Sequence, residues 1–185
     1  MMGIRECLIE TRNCLNYYFF GKKIKICLCG PSKSGKTSFY KAFTEKKVLK
    51  KEPSTIGSRT RHFTKNGLRG LFFDIGGSTE YNNLRDLCYR KSNALLFFVN
   101  ASDPDSFLDA KTMLLGLLNR NKRKNMPILI LCTHNDVEGF VDCKNIALNL
   151  SLDSFLGKDI SCYSISSLTL SNFTAVEEWI MMHAK

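Results

Sequence analysis

Gly30-Pro31-Ser32-Lys33-Ser34-Gly35-Lys36-Thr37 carries the spacing G-x-x-x-x-G-K-[ST], and each residue type in it answers a demand of phosphate chemistry. The glycines let the backbone curl so that successive N–H groups converge on one phosphate, and a helix starting at Lys36 adds its positive dipole end. The Lys36 ammonium can then reach β- and γ-phosphates, while the Thr37 hydroxyl is a hard oxygen ligand for Mg²⁺. Gly30, Ser32, Lys33, Ser34, Gly35, Lys36, Thr37 and Ser38 are therefore assigned to a phosphate cradle, against the plainer reading of a glycine-rich turn with an incidental lysine. Further on, the apolar run Leu71-Phe72-Phe73 ends in Asp74-Ile75-Gly76-Gly77. An acid at a strand end can hold Mg²⁺, usually through water, and Gly77 can offer its N–H to a γ-phosphate. Alone this segment would be an ordinary Asp-x-Gly turn. Paired with the upstream loop it becomes the second half of one phosphate and metal site.

These groups need a scaffold that brings distant loops to one edge. Lys23 to Cys29 predicts a strand, Lys36 to Glu45 a helix, and Arg59 to Thr64 with Leu68 to Asp74 two strands joined by the hairpin signal Asn66-Gly67. Ala94 to Asn100 and Ile128 to Cys132 are unbroken apolar runs, as expected of strands covered on both faces. Asp103-Pro104 supplies an N-cap and first-turn proline for a helix through Leu118, and a strand near Ile160 to Ser164 with a helix from about Asn172 to His183 completes the chain. Strands alternating with helices predict a mostly parallel α/β sheet of six strands with helices on both faces, one antiparallel edge hairpin, and the phosphate loop behind the first strand. Residues 4 to 20 place Ile4, Cys7, Leu8, Leu15, Tyr18 and Phe19 near helical spacing, which predicts an amphipathic N-terminal helix over 1–20 ahead of one domain over 21–185.

The 185 residues include 27 Lys plus Arg and 17 Asp plus Glu, a net charge of +10, and the surplus is confined to the front of the chain. Residues 1 to 70 hold 16 basic and 4 acidic side chains, whereas residues 71 to 185 hold 11 and 13. That asymmetry points to an anionic partner, although scattered lysines are also an ordinary means of solubility. Eight cysteines at 7, 14, 27, 29, 88, 132, 143 and 162 form no C-x-x-C pair, so buried thiols in a reducing compartment are expected. Arg5, Glu6, Glu10 and Arg12 interrupt any secretory apolar segment, and no window is apolar enough for a membrane span. The expected setting is cytoplasmic.

With Pro53-Ser54-Thr55-Ile56-Gly57, Phe73-Asp74-Ile75-Gly76-Gly77 and the ungapped stretch from Ser58 to Asp74, the chain resembles the Arf and Arf-like branch of the small GTPases over essentially its whole length. Ser161-Cys162-Tyr163-Ser164-Ile165-Ser166 and the ending Trp179-Ile180-Met181-Met182-His183-Ala184-Lys185 are similar to the lysosome-associated Arf-like subgroup. The resemblance implies GTP/GDP and Mg²⁺ as ligands, with Thr37, Thr55 and Asp74 at the metal and Gly77 sensing the γ-phosphate. It implies that Thr133-His134-Asn135-Asp136 is the guanine-reading motif. Asp136 keeps the selective part, since a carboxylate accepts two hydrogen bonds from guanine N1 and N2. Thr133 is a tolerated substitution, and His134 replaces a lysine whose stem covers the purine. Ser164 and Ile165 fall where the family has the loop that contacts guanine O6 through a backbone N–H. With Lys36 and Gly77, Ser78 completes the catalytic positions by resemblance.

Ser78 stands where the family has the glutamine that orients the attacking water, and a serine is too short to span the same gap. Intrinsic hydrolysis is therefore expected to be slow. The family's aromatic effector triad falls on Ser58, Phe73 and Cys88, so two large anchors are gone. The N-terminal helix resembles the Arf-type membrane anchor, and Tyr17 to Phe20 with Lys22, Lys23 and Lys25 suit a peripheral contact with anionic head groups. A helix that merely caps the core is the alternative. Three readings stand: a membrane-associated Arf-like switch in vesicle trafficking with weak hydrolysis, on a cytosolic face that the subgroup would make lysosomal or endosomal; a nucleotide-binding scaffold without useful turnover; and, least favoured, a small phosphate-loop kinase. Guanine nucleotide, a membrane surface, and unidentified effector, exchange and activating proteins are the expected partners. A nucleic-acid partner is not expected, and the protein is expected to be a monomer.

Overall fold

The computed structural model describes residues 21–45, 55–121, 126–155 and 157–185. The expected N-terminal helix, Lys46, Lys47, Lys50 and Lys51, and Pro53-Ser54 lie outside them. Six strands form one sheet: β1 (Lys22–Cys29), β2 (Ser58–Lys65), β3 (Leu68–Ile75), β4 (Ala94–Asn100), β5 (Ile128–Thr133) and β6 (Ile160–Ser164). Their spatial order is β2-β3-β1-β4-β5-β6, with every pair parallel except the edge pair β2–β3. That pair turns at Asn66 and Gly67, whose φ angles of +47° and +81° are those a two-residue hairpin turn demands. Register brings Leu28 opposite Asp74, so the phosphate loop leaving β1 and the acid ending β3 emerge side by side. Asn100 pairs with Thr133 one strand further along the same edge.

Helices α1 (Lys36–Glu45), α2 (Asn82–Lys91), α3 (Phe107–Arg120), α4 (Cys143–Asn149) and α5 (Phe173–Met182) cover both faces. The alternation within strands decides which helix lies where. Ile24, Ile26 and Leu28 of β1, with Leu96 and Phe98 of β4, face a core closed by Phe39 and Phe43 of α1 and Val176, Trp179 and Ile180 of α5. Cys27 and Cys29, with Leu95, Phe97 and Val99, face the opposite core under α2, α3 and α4. Phe39 packs on Phe43, Phe98 and Phe173 at ring separations of 5.2–5.4 Å, and this fixes the base of α1 and hence Lys36 and Thr37 above it.

Two details depart from expectation. Asp103 makes no capping bond with its side chain; a short 3₁₀ turn, Pro104–Ser106, precedes α3 instead. The helix expected through Leu118 runs on to Arg120, which pairs with Asp86 at 2.8 Å, while Asn121 is buried and donates to the same carboxylate. Helices α2 and α4 have no counterpart among the sequence expectations; α4 is announced only by Asp142, whose carboxylate accepts from the Asn145 N–H at 2.8 Å as an N-cap. Six described cysteines are free thiols. Among the described residues no helix is long and apolar enough to cross a membrane.

Candidate functional site

Lys36 opens α1 at the end of the loop that leaves β1, and burial turns its side chain inward. Its Nζ donates to the carbonyl oxygens of Gly30 (2.8 Å) and Pro31 (2.7 Å) and to the Ser34 hydroxyl (3.3 Å). The ammonium is thus pinned across the mouth of the loop. Burial lowers its pKa from 10.5 to about 8, with nearby Asp74 pulling the other way and Arg85 reinforcing the shift. Lys33 sits at the exposed crest with a left-handed φ of +63°, Ser32 is exposed beside it, Ser34 and Gly35 lie inward, and Ser38 is half-buried on α1.

The three expected metal ligands come together. Thr37 Oγ1 lies 3.1 Å from Thr55 Oγ1 and 3.5 Å from Asp74 Oδ2. Asp74 is fully buried, its Oδ1 has no hydrogen-bond partner, and burial pushes its carboxyl above the ordinary range while Arg61 and Lys36 draw it down. Arg61 Nε stands 3.6 Å from Asp74 Oδ2, with the guanidinium over the Tyr40 ring at 4.4 Å. Two hydroxyls, one carboxylate and an unused buried carboxylate oxygen form a hard-oxygen donor set that fits Mg²⁺.

Gly77 closes the cradle from the far side. A Cβ on it would stand 2.2 Å from Ser32 N and 2.4 Å from Pro31 C, so only a glycine lets this turn lie on the phosphate loop. The Gly76 N–H donates to the Gly57 carbonyl at 2.8 Å, which ties the segment containing Thr55 to the one containing Gly77. Ser78 follows, half-buried; no capping bond from its side chain forms where it precedes the 3₁₀ turn Thr79–Tyr81. It borders a cavity of about 650 Å³ between the loop, this turn and α3.

At the other end of the edge, Thr133 is buried and its hydroxyl lies 3.2 Å from the Ser34 carbonyl, 3.1 Å from the Val99 carbonyl and 2.9 Å from His134 Nδ1. His134 adopts φ +64°, and burial lowers its pKa against the pull of Asp136, so the imidazole is held towards its neutral form. Asp136 is exposed just beyond. Ile165 departs from expectation. Its side chain is fully buried and its N–H donates to the Cys132 carbonyl at 2.8 Å, so that amide is used by the sheet and is not free for a ligand. The carbonyl of Ser164 accepts from Asn172 at 2.7 Å. The loop begins at Ser166, two residues beyond the Ser164 expected to open it, and the buried hydroxyl of Ser166 accepts from the N–H groups of Leu168 (3.0 Å) and Thr169 (3.1 Å). The signal was present in the sequence: a β-branched apolar residue after an alternating strand continues that strand.

Phe73 is half-buried, Cys88 is buried, and Ser58 is exposed, so the effector positions offer one partial aromatic. Two apolar side chains, Ile56 beside Thr55 and Leu87 on α2, are exposed.

The profile of Arf, the ADP-ribosylation factor family, matches residues 11–184. ADP-ribosylation factor-like protein 8b of Arabidopsis thaliana is 26% identical over 184 residues, across 100% of this chain and 98% of its own. The solved structure of the Arl6 BBS3 small GTPase from Trypanosoma brucei, with bound nucleotide analogue GppNp, has a similar fold, with a TM-score of 0.78 at 20% identity over 86% of this chain and 96% of that one.

Proposed function

Because this chain belongs to the ADP-ribosylation factor family of small GTPases, we propose that it is a GTP/GDP switch with slow intrinsic hydrolysis that works at a membrane surface. The observation that carries the reading is the convergence of Lys36, Thr37, Thr55, Asp74 and Gly77, drawn from three separate segments, on one loop of curled backbone. Lys36 holds the charge of the β- and γ-phosphates, and the Gly77 N–H reports the terminal phosphate. Thr37, Thr55 and Asp74 would hold Mg²⁺, which when bound supplies charge neutralisation to the phosphates. Asp136 selects guanine, Thr133 ties base site to phosphate site, and a neutral His134 stacks where a lysine stem would lie. Ser166 and Ser167 supply the backbone N–H groups next to the base edge, in place of Ile165.

Hydrolysis is in-line attack of water on the γ-phosphorus, releasing GDP and phosphate. The short Ser78 side chain leaves the attacking water without its usual polar guide, so the triphosphate state persists until a partner supplies one. The cavity beside Ser78 is the entry for such a group.

For the membrane role, the support is a second cavity, about 270 Å³, lined by Phe43, Leu68, Thr174 and Met181 beside the Asn66 turn. Lys22 at the start of β1 donates to the Met181 carbonyl at 3.1 Å, so the chain enters the domain next to that cavity. The expected amphipathic N-terminal helix, seated there in one nucleotide state and released to lipid in the other, would make the switch a membrane switch, acting in trafficking on a lysosomal or endosomal face.

Competition against a fluorescent guanine nucleotide tests the core of the reading. GTP and GDP are expected to displace it and ATP is not; equal displacement by ATP would remove it. Flotation with anionic liposomes separates the switch from an inert scaffold: binding is expected with a non-hydrolysable GTP analogue and not with GDP, and nucleotide-independent flotation favours the scaffold.

A further inference from the structure

Arg85 is 1% exposed on α2, and what surrounds its charge is unusual. Nη2 donates to the carbonyl oxygens of Gly76 (3.2 Å) and Ser78 (3.1 Å), and Nη1 to Asn82 Oδ1 (2.5 Å). All three acceptors are neutral. Among the described residues no carboxylate lies in ion-pair range of the guanidinium, and its Nε has no acceptor. Buried charges are ordinarily paired, because desolvation is costly and only a counter-charge in a low-dielectric site offsets it. The two carbonyls it holds flank Gly77, the residue that lies on Pro31 and Ser32 of the phosphate loop. A trans peptide points its N–H opposite its C=O, so fixing the Gly76 carbonyl towards Arg85 fixes the Gly77 N–H away from it.

We propose that Arg85 is a positioning residue: it locks the Gly76–Ser78 turn against the phosphate loop, and its unpaired charge finds its counter-ion in the terminal phosphate of bound nucleotide. It thereby sets the preference for triphosphate over diphosphate. This rests on the nucleotide-site reading above. A γ-phosphate brings additional negative charge to this end of the sheet, which a diphosphate lacks, so the favourable term belongs to the triphosphate state alone.

The test is the ratio of dissociation constants for GDP and for a non-hydrolysable GTP analogue. Arg85→Gln keeps a donor but loses the charge, and is expected to weaken the analogue about 10-fold relative to GDP, the scale of a lost charge-assisted hydrogen bond. Arg85→Lys keeps the charge while giving up the two-carbonyl fork, and is expected to lose less. A residue that merely held α2 in place would lower the melting temperature and weaken both nucleotides alike; that result, or an unchanged ratio, overturns the proposal. Should Arg85→Gln fail to fold, Asn82→Ala frees one arm of the guanidinium and is expected to shift the ratio in the same direction by a smaller factor, and no shift there overturns it equally. Wild-type protein that binds neither nucleotide would remove the site reading and this inference together, whereas normal wild-type binding with an unaltered Arg85→Gln ratio would remove this inference only.

Discussion

The hydroxyl of Thr133 lies 3.2 Å from the carbonyl oxygen of Ser34, 99 positions away along the chain, so the end of β5 is bonded to the phosphate loop. In the proposed reading, base recognition and phosphate recognition are joined through this contact. Thr133→Val keeps the shape and removes the proton that Ser34, Val99 and His134 Nδ1 compete for. One neutral buried hydrogen bond contributes about 1 kcal/mol, so GDP and GTP should both dissociate roughly 5-fold faster. Stopped-flow release of a fluorescent nucleotide measures this. Unchanged release of both would show that the loop holds its shape without the strand.

Lys36 gives the site a pH signature. Its folded pKa of about 8 lies below the ordinary 10.5. At pH below about 8 both folded and unfolded chains carry the proton, and the folded state bears the whole penalty of a desolvated ammonium. Between about 8 and 10.5 the folded protein has released a proton that the unfolded chain retains, so nucleotide-free protein gains stability with rising pH, by about 3 kcal/mol over the window. Phosphates restore the charge, and nucleotide binding near pH 9 should therefore take up a proton. Titration calorimetry in two buffers of different ionisation enthalpy reads that uptake, which should fade below about pH 7. A binding enthalpy independent of buffer at the higher pH would mean the ammonium was already charged.

The parts of the site legible in the sequence were those fixed by local covalent spacing. The phosphate loop is contiguous, and Asp74 follows directly from an apolar strand, so residue type and order sufficed to place Lys36, Thr37 and Asp74 together at one edge of the sheet. Strand positions were legible for the same reason, because unbroken apolar runs such as Ala94–Asn100 have no stable place except between two layers of helix. Ile165 falls outside the loop because its N–H bonds to Cys132, and no spacing in the sequence shows where the sheet amides end and the loop amides begin. Helix α2 escaped because its sequence, NNLRDLCYRK, offers few apolar positions; it is held by Cys88 and Tyr89 in the core and by the buried Arg85. No spacing rule announces a guanidinium that binds two carbonyls beside a glycine. Such contacts exist only after folding.

Ser78→Gln should accelerate single-turnover GTP hydrolysis. The serine hydroxyl at the border of the 650 Å³ cavity is replaced by an amide long enough to reach a water at the phosphate, with open space to move in. Removing a single polar guide to the attacking nucleophile or developing charge commonly costs one to three orders of magnitude in rate, so restoring one should return about 10-fold or more. Equal rates for the two proteins would mean that some other group already orients the water.

Gly77→Ala should separate the two nucleotide states. The added methyl would meet Ser32 N at 2.2 Å and Pro31 C at 2.4 Å, both backbone atoms that cannot rotate away. The turn must then lift from the loop, carrying the Gly77 N–H with it. Lys36 and Thr37 hold their places through α1 and the carbonyls of Gly30 and Pro31, independently of that turn. GDP affinity is therefore expected to change by less than about 3-fold, while the affinity for a non-hydrolysable GTP analogue falls by about 10-fold or more, the loss of one charge-assisted donor together with its positioning. Equilibrium titration of both nucleotides gives the comparison, with the melting temperature of each complex as a control for general damage. If the analogue stays as tight as GDP in Gly77→Ala, the terminal phosphate is read elsewhere and Gly77 serves only to pack the turn.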